Sequence, residues 1–286
     1  MKTIQIKGVS KVYGHTKALD KVDIDIESNR IYGLLGRNGA GKTTLLNLMT
    51  NRIFPTEGEV IIDGERVYEN DKVLGNIFYM AEKNLYPEDE RVRNIYKWTK
   101  EFYPSFDMVY AENLSEKFGL DLKKKVKSLS TGYASIFKAI AALASNADIV
   151  LFDEPVLGLD ANHRDMFYKE LIANYSERPK TIIISTHLIE EVSSVIEEAI
   201  IIKEGKLILK QSVEELLSGA YVVSGEASRV DKYIQGKKCI GIEVLGSFKS
   251  ATVFEAVNNK DEDLAGELEL ELGKAELQKV FIDLTN

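Results

Sequence analysis

Hydrophobic and polar residues alternate along the first part of the chain, residues 2–32. Residues 3–7 and 22–26 change character at almost every position, which predicts half-buried strands of an antiparallel region. Residues 58–64 form another short strand between turn-forming glycines, and residues 73–80 form a further apolar run. The N-terminal part of the chain is therefore expected to be rich in β-structure.

Two later segments are apolar at nearly every position. The runs at residues 149–152 and 181–184 are typical of parallel strands that are covered on both faces. A helical pattern at about residues 162–175 separates them, so the three segments together predict a βαβ unit. Residues 30–35 read as another short apolar strand, directly ahead of a glycine-rich stretch.

Between residues 88 and 145 the chain becomes helical in character. One set of side chains recurs at helical spacing, and a second pattern covers residues 109–118. The aromatic residues in these patterns are interpreted as core residues. We therefore expect a helical subdomain at about residues 83–145. The first set consists of Ile95, Trp98, Thr99, Phe102 and Tyr103.

The pattern changes again near Ile208, where short strands mix with brief helices. We expect a larger domain at residues 1–215 and a small C-terminal α+β domain at residues 216–286. The acidic residues between 261 and 271 are expected to lie on the solvated surface. The predicted strands are 221–223, 240–244 and 250–254, and the predicted helices are 229–234 and 277–284.

The composition narrows the class of protein. The chain has 286 residues, 44% of them hydrophobic and 29% charged, which is an ordinary soluble balance. Its net charge of −8 opposes binding to a phosphate backbone, so no nucleic-acid partner is expected. The single cysteine, Cys239, cannot form an internal disulfide. The N-terminus lacks a signal-peptide core, and no run of about 18 apolar residues predicts a membrane span.

The glycine-rich stretch at residues 36–44 fits G-x-x-x-x-G-K-[ST], the phosphate-binding loop, and lies between a predicted strand and a predicted helix. Its glycines let backbone N–H groups point inward, and the helix N-terminus adds positive partial charge. Lys42 is expected to reach the β- and γ-phosphates, and the Thr43 hydroxyl to ligate Mg²⁺. The alternative is a glycine-rich turn that binds nothing. The predicted ATP-binding residues of this loop are Gly36, Asn38, Gly39, Ala40, Gly41, Lys42, Thr43 and Thr44.

Asp153 and Glu154 end a buried strand, where uncompensated charge is costly. Adjacent strand residues face different ways, so one carboxylate is expected to serve the metal and the other the attacking water. We predict Asp153 in the Mg²⁺ shell and Glu154 as the group that orients or deprotonates water.

Three further short segments surround Asp153 in the sequence. Leu-Ser-Thr-Gly-Tyr at 129–133 precedes Asp153, Gly-Leu-Asp at 158–160 follows it, and Ser-Thr-His at 185–187 ends with His187. With the phosphate loop, this set resembles the nucleotide-binding subunits of ATP-binding cassette (ABC) transporters over about residues 1–215. The resemblance implies a P-loop α/β fold with a mainly parallel core sheet, an N-terminal antiparallel β region, a helical subdomain and a small C-terminal α+β domain.

The resemblance also implies a head-to-tail dimer, identical or mixed, with each ATP held between two subunits. Ser130 and Gly132 would contact the ATP bound to the partner, where a helix N-terminus faces the γ-phosphate. Taken alone, Leu-Ser-x-Gly is a weak signal, and Ser130 is equally consistent with a helix cap. Tyr13 would stack on adenine, His187 would contact the γ-phosphate and act in catalysis, and Asp160 would link the sites of the two subunits.

The chain departs from the family at three positions. Thr131 replaces a second glycine, Tyr133 replaces a polar residue, and Glu82 stands where a Gln usually contacts Mg²⁺. A carboxylate can ligate Mg²⁺ as an amide does, so Glu82 is expected to contact both metal and nucleotide. These variants and the long C-terminal part are similar to the bacterial Ytr/Pmt-type exporter ATPases.

The sequence thus predicts an ATPase subunit that powers an exporter of amphipathic peptides or antimicrobial compounds. Separate transmembrane permease subunits would hold it at the cytoplasmic face of the cell membrane. Residues 82–93, with Leu85 and Tyr86, are the expected docking surface. A non-transport ABC ATPase that acts on the ribosome or on DNA is the main alternative. A P-loop kinase is a further one, opposed by residues 129–133 (the signature segment) and by His187. A GTPase is another, but the sequence has no Asn-Lys-x-Asp motif to support it.

Overall fold

The computed structural model describes residues 3–286 and contains three β-sheets and eleven α-helices within them. Met1 and Lys2, which belong to the predicted β-region, lie outside the described residues. The strands are β1 (Ile4–Tyr13), β2 (Thr16–Ile26), β3 (Ile31–Leu35), β4 (Glu57–Ile62), β5 (Glu65–Arg66), β6 (Ile77–Met80), β7 (Ile149–Asp153), β8 (Thr181–Thr186), β9 (Glu198–Lys203), β10 (Lys206–Ser212), β11 (Tyr221–Glu226), β12 (Cys239–Leu245), β13 (Phe248–Val253) and β14 (Glu271–Lys274). The helices are α1 (Lys42–Met49), α2 (Asp71–Leu74), α3 (Val92–Phe102), α4 (Met108–Lys117), α5 (Thr131–Ala144), α6 (Ala161–Glu177), α7 (Ile189–Val192), α8 (Val213–Ser218), α9 (Ala227–Tyr233), α10 (Asn259–Glu267) and α11 (Leu277–Thr285).

The central sheet has the order β10-β9-β3-β8-β7-β6 and is parallel except for β10. Strands β3, β7 and β8 are buried along their whole length, which explains their continuous apolar sequence. Helix α6 connects β7 to β8, so the predicted βαβ unit is confirmed. Because parallel strands end at one edge, the segments after β3, β7 and β8 meet there.

The N-terminal antiparallel sheet has the order β2-β1-β4-β5 and confirms the predicted β-rich region. Its apolar face packs with α1 against one face of the central sheet and forms a continuous core. A second, larger core covers the other face of that sheet and includes residues of α3, α4, α5 and α6. The phosphate loop therefore follows β3, a strand that is packed on both faces.

The helical region consists mainly of α3, α4 and α5, as the periodicity predicted. Asp107 caps α4 by accepting a hydrogen bond from the Tyr110 N–H, and Ser130 caps α5 by accepting one from the Tyr133 N–H. Helix α5 is almost wholly apolar, and its side chains from Ser135 to Ala144 are buried. It therefore fixes the position of the signature segment at its N-terminus.

The C-terminal region contains the third sheet, in the order β12-β13-β11-β14, with α9 and α10 and a small core of its own. The three strands and two helices predicted there are present with slightly different ends. The acidic residues between 261 and 271 are exposed as predicted, except for Asp261, which is buried and paired with Lys237. Helix α10 and the start of β14 lie in this segment. A capping box at Asn258 and Asp261 starts α10. The boundary at residues 215 and 216 stays a prediction.

Helix α11 connects this C-terminal sheet to the larger part of the chain. Val280 and Phe281 pack into the large core. Gln278 accepts a hydrogen bond from the Glu190 N–H of α7 at 3.2 Å, and Asn286 accepts one from Arg37 beside the phosphate loop. The last helix therefore packs into the large core and not against the C-terminal sheet alone.

Candidate functional site

The phosphate loop joins β3 to α1, and two of its glycines are required by their surroundings. A Cβ on Gly36 would lie 2.7 Å from the Ile202 carbonyl oxygen. Gly41 has a φ of 107° and precedes α1, and its Cβ would lie 2.6 Å from the Ala18 carbonyl oxygen. The loop is therefore held closely against two neighbouring segments.

Lys42 is the first residue of α1, and its side chain is buried. Its Nζ donates to the Gly36 carbonyl oxygen at 2.7 Å and lies 3.8 Å from Oε1 of Glu154. Burial lowers the pKa of Lys42, and the negative charges of Glu154 and Asp153 oppose this decrease. A desolvated cation beside the loop is suited to attract phosphate oxygens.

Glu154 follows β7 directly, and its φ of 50° places it in the left-handed region. The two carboxylates therefore diverge because the backbone turns after Asp153, and not because of strand alternation as the sequence indicated. Oε2 of Glu154 accepts a hydrogen bond from Thr186 at 3.1 Å, and Oε1 lies 2.9 Å from Nδ1 of His187. These contacts leave Glu154 fixed between the phosphate loop and the end of β8.

Asp153 has one paired and one unpaired oxygen. Tyr79 donates to its Oδ2 at 3.1 Å, and burial with the charge of Asp153 raises the pKa of Tyr79, which keeps its hydroxyl protonated. Among the described residues, buried Oδ1 of Asp153 has no hydrogen-bond partner, and neither has Oγ of Ser185 in the paired position of β8. An orphaned buried carboxylate oxygen fits a ligand to Mg²⁺ or to its water. Within the described part of the chain, no group of three or more His, Cys, Asp or Glu forms a metal site.

These elements surround an open cavity of about 520 Å³. It lies at the edge of the central sheet where β3, β7 and β8 end. Ala18 and Leu157 complete its wall. The predicted site residues that line it are Asn38, Gly39, Ala40, Gly41, Lys42, Thr43, Thr44, Glu82, Glu154 and His187.

A second group of predicted residues lies outside this cavity. Ser130 and Gly132 begin α5, and a Cβ on Gly132 would lie 2.7 Å from the Gly158 carbonyl oxygen. Asp160 caps α6 by accepting a hydrogen bond from the His163 N–H at 2.9 Å, and this bond lowers the pKa of Asp160. Within one chain Gly132 thus packs against Gly158, Asp160 caps α6, and none of the three residues lines the cavity.

Tyr13 ends β1, at the hairpin that leads into β2, and its side chain is 48% exposed. Ala18 of β2 lines the cavity, so the hairpin lies at its rim. The Nζ of Lys11 lies 5.0 Å from the centre of the Tyr13 ring. Tyr13 itself does not line the cavity, and Lys11 over one face of its ring leaves the other face for base stacking.

Glu82 follows β6, and its side chain is exposed and lines the cavity. The backbone of this segment is held from α5, because Nζ of Lys138 donates to the carbonyl oxygens of Ala81 and Glu82. The segment thus bridges the central sheet and the helical region.

Sequence reasoning did not assign roles to three side chains that contact the site residues. Thr186 holds Glu154, Tyr79 holds Asp153, and Lys138 holds the segment of Glu82. Each gives only a weak signal in the sequence. The clearest is that of Lys138, the one charged residue in an otherwise apolar helical run. Thr186 and Tyr79 are ordinary strand residues until the sheet places them beside carboxylates.

Comparison with known proteins gives consistent matches. A family model described as ABC transporter matches residues 19–157. The chain is 30% identical over 213 residues to the ABC transporter ATP-binding protein YtrB of Bacillus subtilis, a match that covers 74% of this chain and 73% of YtrB. It is 30% identical over 208 residues to the bacitracin transport ATP-binding protein BcrA of Bacillus licheniformis, covering 72% of this chain and 68% of BcrA. A ribose import protein, RbsA of Caldanaerobacter subterraneus, is 29% identical over 227 residues, which are 74% of this chain and 45% of RbsA.

Solved structures match as well. The dimeric structure of a post-hydrolysis state of the ATP-binding cassette MJ0796, bound to ADP and Pi, has a TM-score of 0.65 and 26% identity. That match covers 73% of this chain and 98% of MJ0796. None of the helices within residues 3–286 has the length and apolar character needed to cross a membrane.

Proposed function

This chain belongs to the ABC transporter ATP-binding proteins, which hydrolyse ATP to power transport, and we propose that it serves an exporter of amphipathic peptides or antimicrobial compounds. ATPases of this family dimerise and work with transmembrane subunits. The observation that carries our assignment of the site is the convergence of Lys42, Glu154 and His187 on one cavity beneath the phosphate loop.

We propose a role for each of these side chains, supported by the contacts described above. Lys42 and the backbone N–H groups of the loop bind the β- and γ-phosphates. Glu154 orients the attacking water and accepts its proton, and His187 contacts the γ-phosphate. Thr186 keeps the carboxylate of Glu154 directed at the cavity through its 3.1 Å hydrogen bond. Tyr13 provides a ring face for adenine.

Thr43, Glu82 and Asp153 are the residues that would hold Mg²⁺. The unpaired Oδ1 of Asp153 supports this proposal, because a buried carboxylate oxygen needs a partner. When bound, Mg²⁺ supplies positive charge to the phosphate oxygens. A site with a hydroxyl and single carboxylates suits Mg²⁺, which keeps several waters and takes further oxygens from the nucleotide.

We assign Ser130, Gly132 and Asp160 to the contact between two ATPase subunits. Their separation from the cavity within one chain supports this, as does similarity to a dimeric cassette. The N-terminus of α5, with exposed Ser130, would then face the nucleotide bound to the second subunit. The subunit would thus contribute to two sites at once.

The proposed direction is export. The chain covers about two thirds or more of YtrB and of BcrA, which is named for bacitracin transport, but less than half of the ribose importer RbsA. To test direction and substrate, inside-out vesicles containing the chain and its membrane partner are given ATP and a fluorescent amphipathic peptide. We expect ATP-dependent accumulation, absent in Glu154→Gln. Accumulation of ribose but not of peptide would refute the substrate class and the relationship to exporters.

An apolar groove of about 280 Å³ is the proposed docking surface for a cytoplasmic helix of the transmembrane partner. Its side chains include Leu85, Tyr86, Trp98 and Phe102, of which Phe102 is 79% exposed. Arg52 and Phe78 also line this groove, and Leu85 follows Glu82 of the nucleotide cavity by three positions in the chain. Such a surface is suited to the apolar face of a helix.

Co-purification tests the transporter assignment. The chain, purified from detergent-solubilised membranes, is expected to carry a polytopic membrane protein. Leu85→Glu should release this partner and leave basal ATPase activity intact, whereas Ile208→Glu, at a similarly exposed apolar residue of β10, should retain it. Recovery with ribosomes or nucleic acid alone would contradict the proposal. Equal loss of the partner in both variants would contradict the docking surface.

A further inference from the structure

Lys138 lies in the middle of α5, within the large core, and its side chain is 6% exposed. It is the one charged residue between Ser135 and Ala144, all of which are buried. Burying an ammonium group is costly unless hydrogen bonds compensate the loss of water. An apolar residue would fill this position without that penalty, so the groups that the charge contacts are of interest.

The ammonium group contacts backbone rather than a carboxylate. Its Nζ donates to the Ala81 carbonyl oxygen at 2.8 Å and to the Glu82 carbonyl oxygen at 2.5 Å. The two carbonyls belong to the segment directly after β6, outside the hydrogen bonds of the sheet. Lys138 therefore provides hydrogen-bond partners for two backbone carbonyls of this segment. The side chain of Glu82, in the same segment, lines the nucleotide cavity.

The same helix carries the signature residues. Ser130 caps α5 and Lys138 lies eight positions further along, about two turns of helix away. A rigid helix thus connects the group that faces a second subunit to the segment that faces the nucleotide of its own chain. A shift of α5 as a rigid body would move Glu82 through the two hydrogen bonds of Lys138.

We propose that Lys138 is a positioning residue that fixes the backbone at Ala81 and Glu82, so that the Glu82 carboxylate is held towards the Mg²⁺ of bound ATP and moves with the signature helix. The proposal rests on the role assigned above to Glu82. Groups behind a metal ligand orient it, and their removal typically weakens metal binding by about 10- to 100-fold. Lys138 acts in this way through backbone carbonyls.

Removing Lys138 would change Mg²⁺ binding in opposite directions, depending on whether Lys138 acts by positioning Glu82 or only through its charge. Burial lowers the pKa of Lys138, while the charges of Glu82 and Asp153 oppose this decrease, so the cation lies within range of both carboxylates. Removing a cation there would by itself strengthen Mg²⁺ binding, because it removes a like charge. Releasing the Glu82 backbone would weaken Mg²⁺ binding. The sign of the change therefore decides between the two.

The test measures binding of a fluorescent ATP analogue to the full chain, with Mg²⁺ and with a chelator. In Lys138→Met we expect nearly parental affinity without Mg²⁺ and a gain in affinity on adding Mg²⁺ that is about tenfold smaller. Lys138→Gln, which keeps an N–H donor, should fall between, and it provides the comparison if Lys138→Met does not fold. Glu82→Ala in the Lys138→Met background should add nothing further, because both changes remove the same contact.

Hydrogen exchange at residues 81–86 gives a readout that does not depend on nucleotide. We expect exchange at least about tenfold faster in Lys138→Met at the Tyr86 amide, which donates to Asn84 within this segment, since the two hydrogen bonds from Lys138 that hold the segment are lost. The matched control is Lys180→Met, which removes another buried lysine, hydrogen-bonded to Asn174, away from the cavity. This control should leave both readouts at parental values.

Three results would overturn the proposal. These are an unchanged exchange rate at residues 81–86, a larger Mg²⁺ effect in Lys138→Met, and losses that multiply in the double variant. Failure of the underlying site assignment is distinguishable, because it removes the Mg²⁺ effect from the parent chain as well. The exchange rates then still decide whether Lys138 holds the segment.

Discussion

Replacing Glu154 with Gln tests the centre of the site with the smallest change of shape. The Gln side chain has the same length, and its amide oxygen can still accept the hydrogen bond from Thr186. It has no negative charge and cannot accept a proton from water. The substitution therefore separates catalysis from the structure of the cavity.

The sizes of the effects on the rate and on ATP binding follow from general chemistry and from the structure. Loss of a general base reduces the rate by about 100- to 10,000-fold. Lys42 Nζ lies 3.8 Å from the Glu154 carboxylate, a distance at which two charges attract by about 4 kcal/mol at an effective dielectric constant of 20. Gln removes this attraction and leaves Lys42 free to contact phosphate. We therefore expect ATP affinity to be retained or increased while kcat falls, and the dimer to stay closed around ATP.

Three measurements check this prediction: steady-state ATPase activity, equilibrium ATP binding, and the mass of the protein in solution with ATP. Glu191→Gln is the control, because Glu191 is another partly buried glutamate, paired with Arg164 on α6. Its substitution should leave the chemical step near the parental rate. Hydrolysis by Glu154→Gln at the parental rate would show that Glu154 is not the catalytic carboxylate. A large loss of ATP affinity would refute the reasoning from the charge of Lys42.

Other residues give further predictions. Lys42→Ala should weaken ATP binding itself by at least about tenfold, measured by titration with a fluorescent analogue, because a charge-assisted contact is lost. Gly41→Ala should lower Tm and abolish ATP binding, since its Cβ would lie 2.6 Å from the Ala18 carbonyl oxygen, whereas Gly266→Ala on α10, with open space around it, should do neither. Burial lowers the pKa of Lys180 to about 8, below its value in the unfolded chain, so protons favour unfolding between those two values. Stability should therefore rise between about pH 8 and 10.5 by at most about 3 kcal/mol, and the same pH series of Tm values for Lys180→Met should lack this rise.

Much of the fold could be predicted because local patterns agree with tertiary burial. The apolar runs at β7 and β8 are buried on both faces, and the alternation at β1 and β2 matches a sheet with one covered face. The helical spacing at residues 92–102 coincides with α3. In such elements the burial of one or both faces determines both the pattern of apolar residues and the packing.

The phosphate loop was predictable for a different reason. Gly36 and Gly41 lie so close to neighbouring backbone that a Cβ would clash with it, so glycine at these two positions indicates the geometry of the loop. The position of Glu154 was predictable only in part. A buried strand that ends in two acidic residues indicated the site. The left-handed conformation of Glu154 could not be predicted, because a glutamate does not indicate a positive φ.

Contacts between distant segments could not be predicted from one sequence. Tyr79 and Asp153 are 74 positions apart, and Thr186 and Glu154 are 32 positions apart. They meet because β6, β7 and β8 are neighbours in a parallel sheet, whose order depends on the whole fold. The packing of α11 against the large core is of the same kind, since its apolar face gives no indication of which domain covers it.

The arrangement of α5 explains why the two halves of the site need not move independently. The helix begins at the signature residues, which lie outside the cavity of their own chain, and two turns later it reaches the backbone of Glu82. Ser135, on the same helix, donates to the carbonyl oxygen of Leu157, which lines the cavity. Since α5 is buried along most of its length, bending it would expose apolar surface, and a rigid shift is the less costly response. A second subunit that contacts Ser130 would therefore change the surroundings of the nucleotide in the first subunit through Glu82 and Leu157 together.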